Sequence, residues 1–479
     1  MPRRWSKRNG LTINREVHLL SGSNMREAEI QIADLIDSRP LNAFHAFILA
    51  LCFLILCVDG MDFGAANVAA PAILRAFHAE KSAMGMVFGW GYFGILIGSV
   101  IFGYIGDRFG RRLGAIASVL AYSLPGVVTV FVSSFGQLSA LRFLAGLGIG
   151  GVIPNTIALL VETAPRRFRA SFVMFAFVGY STGVATIGLV AARFIPRFGW
   201  SSVFLVAGVA GVALGMFLAF FLPESAHFLA VSDPQSPKLR KIVSRLAPDS
   251  GLSSNSHFFL LEKAKSKFSI RLLFTDNHWA ATSLLWTGYF AEALTFMTLS
   301  SWLPFLLESA GLSPRQASLT YSYAALCAIA CILLVSRLLD SLGPVTAVFT
   351  ALCSIASIIS LSYAGVSMVA IIITALLAYS FSSSTHNALN ATVGYFYPTQ
   401  IRGSGVGYAT GMGRIAAIFG PTITGYLLSA KLPMKSMLYL IAAPYLVVIL
   451  AFFGLSLIHN RQNRGENVGD YNNPVATSE

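Results

Sequence analysis

Charged side chains are scarce in this chain. They make up 11% of its 479 residues, less than half of the ~25% usual in soluble domains. Hydrophobic residues make up 55%. So little polar surface cannot wrap so much apolar area, which excludes an ordinary water-soluble globule and makes the bilayer its natural solvent. Acidic residues are rarer still, 21 against 34 Lys and Arg, and the net charge is +13. Those bases do not gather into a groove, so no nucleic-acid partner is expected. They lie in loops between apolar runs, the pattern of membrane topology. Cysteine is limited to Cys52, Cys57, Cys327, Cys331 and Cys353, all within apolar runs. That spacing offers no disulfide framework and no metal site. No cleavable signal sequence is expected, because the first 44 residues are polar and the first apolar run is too long. Met25 opens a helix-like stretch, "MREAEIQIADLIDSRP", and offers an alternative start. Finally, no nucleophile elbow, metal-ligand cluster or phosphate-binding loop is present, so neither an enzyme nor a cofactor is expected.

What the chain does have is length in oil. A helix needs roughly 20 apolar residues to cross the hydrocarbon core. Twelve segments qualify: 45–74, 83–106, 113–133, 137–160, 170–193, 200–222, 278–307, 315–339, 345–364, 366–395, 402–429 and 435–458. The expected fold is an all-α membrane protein of two six-helix bundles, 45–222 and 278–458. A segment 1–44, a linker 223–277 and a tail 459–479 flank them. With both termini placed in the cytoplasm, 25 Lys and Arg fall inside and 7 outside, leaving Arg142 and Arg414 in helices. This positive-inside bias orients the chain.

The halves repeat. At an offset of 233 residues, Asp107 meets Asp340, Gly110 meets Gly343 and Pro165 meets Pro398. Arg169 meets Arg402, Ser171 meets Ser404, Pro71 meets Pro304, and Asp59 meets Glu292. Seven coincidences at one spacing point to a duplicated six-helix unit. Parallel halves joined by a cytoplasmic linker form the architecture in which a substrate sits between bundles near the midplane.

Several residues are out of place in oil. "DGMD" puts Asp59 and Asp62 three apart, on one face of the first helix. A charge there costs several kcal/mol, so such groups face a cavity or a partner. Two adjacent carboxylates cannot both ionise cheaply, which suits the pair to carry a proton. Gly60 and Gly64 are expected to thin the helix for water or substrate. Arg142 opens the glycine-rich fourth helix, where its planar fork could hold a substrate carboxylate or balance Asp59. Arg414, among Gly411, Gly413 and Gly420, is a second candidate for the substrate anion, with charge pairing as the equal alternative. Glu292, beside Tyr289, is a second candidate proton carrier. His386, flanked by Asn387 and Asn390, lies mid-helix, where three polar groups are costly without a role and a cavity lining is expected. "GYIGDRFGRR" ends the second helix. There Gly103 and Gly106 admit a neighbouring helix, and Asp107 can pair across to the facing bundle. Arg108, Arg111 and Arg112 stay in the interface, and Gly110 closes the motif. The whole reads as a charged latch. Its second copy, "SRLLDSLG", has Ser341 where the first has an Arg, so a weaker latch is expected around Asp340.

These features resemble the major facilitator superfamily. "IDSRPLNAF", "DGMD", "LRFLAGLGIGGVIPN", "LPES", "SWLPFLLESAGLS" and "YPTQIRGSGVGYATGMGRIAAIFGP" resemble its aromatic acid:proton symporter branch, carriers of 4-hydroxybenzoate-like compounds. The resemblance spans nearly the whole chain. It implies gating roles for Glu162, Arg169 and Arg402. His386 stands where that branch usually has Gln. The expectation is a proton-coupled importer of an aromatic or related organic anion, monomeric, embedded in the lipid of a bacterial inner membrane. A sugar or drug carrier of the same fold is the alternative, although "DGMD" is awkward for a neutral sugar. A transporter-like sensor lacks room for a signalling domain.

Overall fold

The computed structural model describes residues 29–248, 257–259, 273–274, 279–343, 345–365, 367–397 and 402–471. Among these residues, twelve long helices carry the fold. The first half holds α1 (Ala43–Ala76), α2 (Lys81–Phe109), α3 (Arg111–Val128), α4 (Phe135–Thr163), α5 (Arg169–Phe198) and α6 (Ser201–Phe221). The second holds α7 (Trp279–Ser309), α8 (Pro314–Leu342), α9 (Val345–Tyr363), α10 (Met368–Phe396) and α11 (Arg402–Ser429). The last helix, α12, runs over Met434–Ala442 and continues as Pro444–Tyr471. Eleven of the twelve are long and apolar enough to cross a membrane. The other, α11, is diluted by glycines and by Arg402 and Arg414.

Local chemistry sets the helix ends. Asn42 caps α1, its side-chain oxygen accepting from the Phe44 amide at 3.0 Å. Ser313 caps α8 in a capping box with Gln316. Between α2 and α3 the turn is a single residue, Gly110, whose φ of +106° an L side chain rarely adopts.

Glycine seams bring helices into backbone contact. A Cβ on Gly60 would lie 2.1 Å from the Tyr180 carbonyl oxygen, and one on Gly183 1.8 Å from that of Cys57, so α1 and α5 touch along their length. Gly64 likewise meets Ile187 of α5. The expectation that Gly60 and Gly64 open α1 to water or substrate is therefore corrected: both are spent on helix packing.

The halves meet along α1–α7, α2–α11 and α5–α8. Among the described residues, their close polar contacts lie at one end. Arg75 pairs with Glu308. The Ser82 amide donates to Ser429 Oγ at 2.9 Å, and Thr422 Oγ1 donates to the Gly85 carbonyl at 3.2 Å. One to two turns deeper, Asn67 Nδ2 donates to Tyr321 at 2.9 Å and to Ser300 Oγ at 3.5 Å, and the Tyr92 and Ser301 hydroxyls are 3.0 Å apart. Two of these pairs, Asn67 with Ser300 and Arg75 with Glu308, join residues 233 positions apart. Equivalent positions of the two halves thus touch across a pseudo-two-fold axis. Toward the other end, Gly103, Gly407 and Gly411 face open space.

A small cap covers that second end of the first half. Strand β1 (Glu29–Gln31) pairs in parallel with β2 (His257–Phe259). Around it pack the short helices Ile32–Asp37, Ala226–Ser232 and Pro237–Leu246, through Ile32, Ile36, Leu239, Val243 and Phe258. Asp37 ties the cap down, accepting from the Arg166 amide at 2.7 Å and its guanidinium at 3.0 Å. Met25 lies outside the described residues.

Candidate functional site

In the first half, Asp59 and Asp62 lie midway along α1, both buried. Arg142 of α4 is 5% exposed and reaches Asp62 Oδ2 at 3.2 Å through Nη1. Its other arm donates to Thr129 at 3.4 Å, and the guanidinium lies 4.6 Å from the Phe204 ring centroid. The expectation that Arg142 balances Asp59 is corrected: its partner is Asp62. Asp59, three residues away, has no hydrogen-bond partner for either oxygen among the described residues. Its neighbours are the phenols of Tyr122 and Tyr180. Asp62 Oδ1 is also unpartnered. Asp62 and Arg142 line a cavity whose walls include Phe63, Phe88 and Tyr92, with Asn67 toward the closed end. Asp59 does not line it. The arrangement offers a charged pair to the cavity and, behind it, a carboxylate with no cation of its own.

The second half differs. Glu292 is fully buried, with Oε2 2.9 Å from His386 Nδ1. The His386 ring stacks on Phe296 at 5.3 Å. Tyr289 donates to Asn390 Oδ1 at 3.0 Å, whereas Asn387 donates to the Ser383 carbonyl of its own helix, at 2.8 Å. Arg414 is half-buried and has no hydrogen-bond or ion-pair partner among the described residues. An unpaired cation there is free to meet an anion.

The latch motif is built otherwise than expected. Gly106 admits Asn155, whose Nδ2 donates to the Phe102 carbonyl at 3.0 Å. Gly103, by contrast, meets nothing within 4 Å and admits no helix in this state. Asp107 pairs with Arg111 of its own motif and is largely exposed; it does not reach the facing bundle among the described residues. Arg111 also reaches Glu162 at 3.2 Å, and Ser225 donates to the same carboxylate. Glu224 accepts from the Arg112 amide at 3.0 Å and the Ser225 amide at 2.9 Å, against Gly110. Burial pushes the Glu224 carboxyl up, and those amides and the Arg112 charge oppose it. Glu224 and Ser225 were missed as site residues by sequence reasoning; the "LPES" stretch was the signal. Arg108 is exposed, and Arg169 donates to the Ala164 carbonyl at 3.1 Å. The side chains of Asp340 and Arg402, and Pro398, lie outside the described residues.

Two pseudo-symmetric six-helix halves, closed on each other at one end around buried charges, define a membrane transporter of the alternating-access kind. The family model of the Major Facilitator Superfamily matches residues 52–421 and 285–472. The chain is 32% identical to the 4-hydroxybenzoate transporter PcaK of Acinetobacter baylyi over 88% of its own length and 94% of the relative's. It is 32% identical to a gallate transporter of Pseudomonas putida over 89% and 95%. A solved structure of the xylose transporter XylE from E. coli, partially occluded and inward open, superposes with a TM-score of 0.67 at 14% identity, covering 86% of this chain and 99% of that one. The chain belongs to the Major Facilitator Superfamily and, within it, to the aromatic acid:proton symporter family.

Proposed function

We propose that this protein is a proton-coupled importer of an aromatic or related organic acid, working by alternating access in a bacterial inner membrane with both termini cytoplasmic. The observation that carries the reading is the buried Asp62–Arg142 pair on the cavity wall, with the unpartnered Asp59 behind it. Asp59 has no counter-ion among the described residues, so a proton is what neutralises it in oil. Protonation of Asp62 would release the Arg142 fork toward a substrate carboxylate. Half-buried Arg414 offers a second contact for the anion, across the interface. The relatives named for 4-hydroxybenzoate, gallate and benzoate support an aromatic carboxylate as the substrate class.

The end held by Arg75–Glu308 then faces outward. The end bearing the Gly103–Arg112 motif and the cap faces the cytoplasm, so this is an inward-facing state. The working unit is a monomer. Asp107, Arg111, Glu162, Arg169, Asp340 and Arg402 serve the inner gate, and Glu162 and Glu224 hold its first-half portion in place while the gate is open.

The test is uptake of radiolabelled aromatic acids into proteoliposomes, with and without an inward proton gradient. Accumulation of 4-hydroxybenzoate or gallate that rises with the gradient is expected. Accumulation of a hexose with no aromatic acid would overturn the substrate class.

A further inference from the structure

The carboxylate of the second half has a different partner from those of the first. Arg142 is a permanent cation, since a guanidinium does not release its proton in a protein. The cation available to Glu292 is an imidazole, which titrates near neutrality. Glu292 Oε2 is 2.9 Å from His386 Nδ1, and Oε1 has no partner among the described residues. The His386 side chain keeps 31% of its surface accessible although protein surrounds it, so it faces an internal space. The dyad therefore has one dry end, the carboxylate, and one end open to the central space.

Three charge states follow. With no proton the dyad is a bare carboxylate in a fully buried position, a costly state. With one proton it is neutral, whether as an imidazolium–carboxylate pair or as two uncharged groups. With two it is a cation presented to the central space. The other titratable groups facing it are the phenols of Tyr289 on α7 and Tyr445 on α12. On α10 itself, Tyr379 lies 6.0 Å from the Phe296 ring that carries His386; on α8, Tyr321 packs on Tyr379. On α11, Arg414 stands without an ion-pair partner among the described residues. On α1, Asp59 and Asp62 belong to the other half. No second acid joins the dyad among the described residues, so its cationic form has no counter-ion until an anion enters.

We propose that the Glu292–His386 dyad takes up a proton of its own with each substrate anion, so that two protons accompany one monocarboxylate and the cycle moves net positive charge inward. One proton rides on the Asp59–Asp62 side and one on the dyad. The second is drawn from the outer water as the carboxylate binds. It leaves to the cytoplasm when the carboxylate departs, because the dyad cation then loses its counter-charge. The inference rests on the aromatic-acid reading above and adds a stoichiometry to it.

Proteoliposomes loaded with potassium and given valinomycin hold an interior-negative potential without a pH gradient. Uptake of radiolabelled 4-hydroxybenzoate under that potential is expected to exceed uptake at zero potential several-fold. In His386→Gln and Glu292→Gln the response to potential should disappear, while a pH gradient still drives a slower uptake. The null point of opposing proton and substrate gradients should move from two protons per substrate to one. Exchange of labelled for unlabelled substrate, which needs no net proton movement, reports whether each variant folds and binds. A wild-type uptake that follows the pH gradient but ignores the potential sinks the dyad proposal and leaves the aromatic-acid reading standing. Variants that keep the wild-type response to potential sink it as well. If 4-hydroxybenzoate enters under neither gradient, both readings fall.

Discussion

The two halves share a plan and divide the chemistry. Asp59 and Glu292 occupy equivalent positions, 233 residues apart, and both are fully buried. In the first half α1 also carries Asp62, and α4 supplies Arg142 to it. In the second half α7 has Thr295 at the position of Asp62, and α10 supplies His386 to Glu292 itself. The first half therefore holds two acids against one fixed cation. The second holds one acid against a cation that can be made and unmade. A duplicated scaffold has kept a carboxylate at one place and changed what answers it. The latch motif shows the same division: Arg111 and Glu162 knit the first half's inner end to Ser225, whereas the second copy has Ser341 and no basic pair.

The comparison breaks most plainly at the acids. Asp59→Asn and Asp62→Asn should each abolish proton-driven accumulation while the protein still reaches the membrane. Wild-type rates in both would remove the first half's role as a proton carrier. Arg142→Ala should cost ~3–5 kcal/mol of stability, since it strands a buried carboxylate. A melting temperature in detergent equal to that of the native chain would mean the pair is not held in a dry site. Arg142→Lys should also lose accumulation, because a point charge does not replace a planar fork. Within the latch, Gly106→Ala would put a methyl 1.7 Å from Oδ1 of the Asn155 side chain, a strain of ~1–3 kcal/mol. Gly103→Ala meets nothing and should stay within ~0.5 kcal/mol of the native chain. Equal losses in the two would mean that the inner gate closes on Gly103 in another state. The smallest effect belongs to Glu308→Gln. The pair with Arg75 is partly exposed, so its worth in stability is ~0–1 kcal/mol. Its loss should show instead as faster labelling of a cysteine placed above Asn67, because the outer closure is weakened. Unaltered labelling would assign that closure to the glycine seams alone.

Much of the fold was legible because the bilayer imposes strict rules. Helix lengths and their number follow from hydropathy, and each long helix matches its apolar segment to within a few residues except α12, which runs on into the tail. The repeat was legible at Asp59 and Glu292 because equivalent positions keep equivalent chemistry. Partners were not legible. Three-residue spacing places Asp59 and Asp62 on one face of α1, but only the position of α4 decides that Arg142 meets Asp62. Likewise Gly60 and Gly64 read as openings until α5 was seen to fill them. Glu224 is 112 residues from Arg112, and no local pattern joins them.

By itself, then, the chain's composition determined a bundle of membrane helices with acids kept inside it, because burying backbone in oil leaves few alternatives and burying a charge needs a reason. The tertiary structure decided which cation answers each acid and which end is shut. It also decided which residues of the latch are engaged. Those choices depend on contacts between helices distant in sequence, and such contacts follow from how whole surfaces pack rather than from any spacing along the chain.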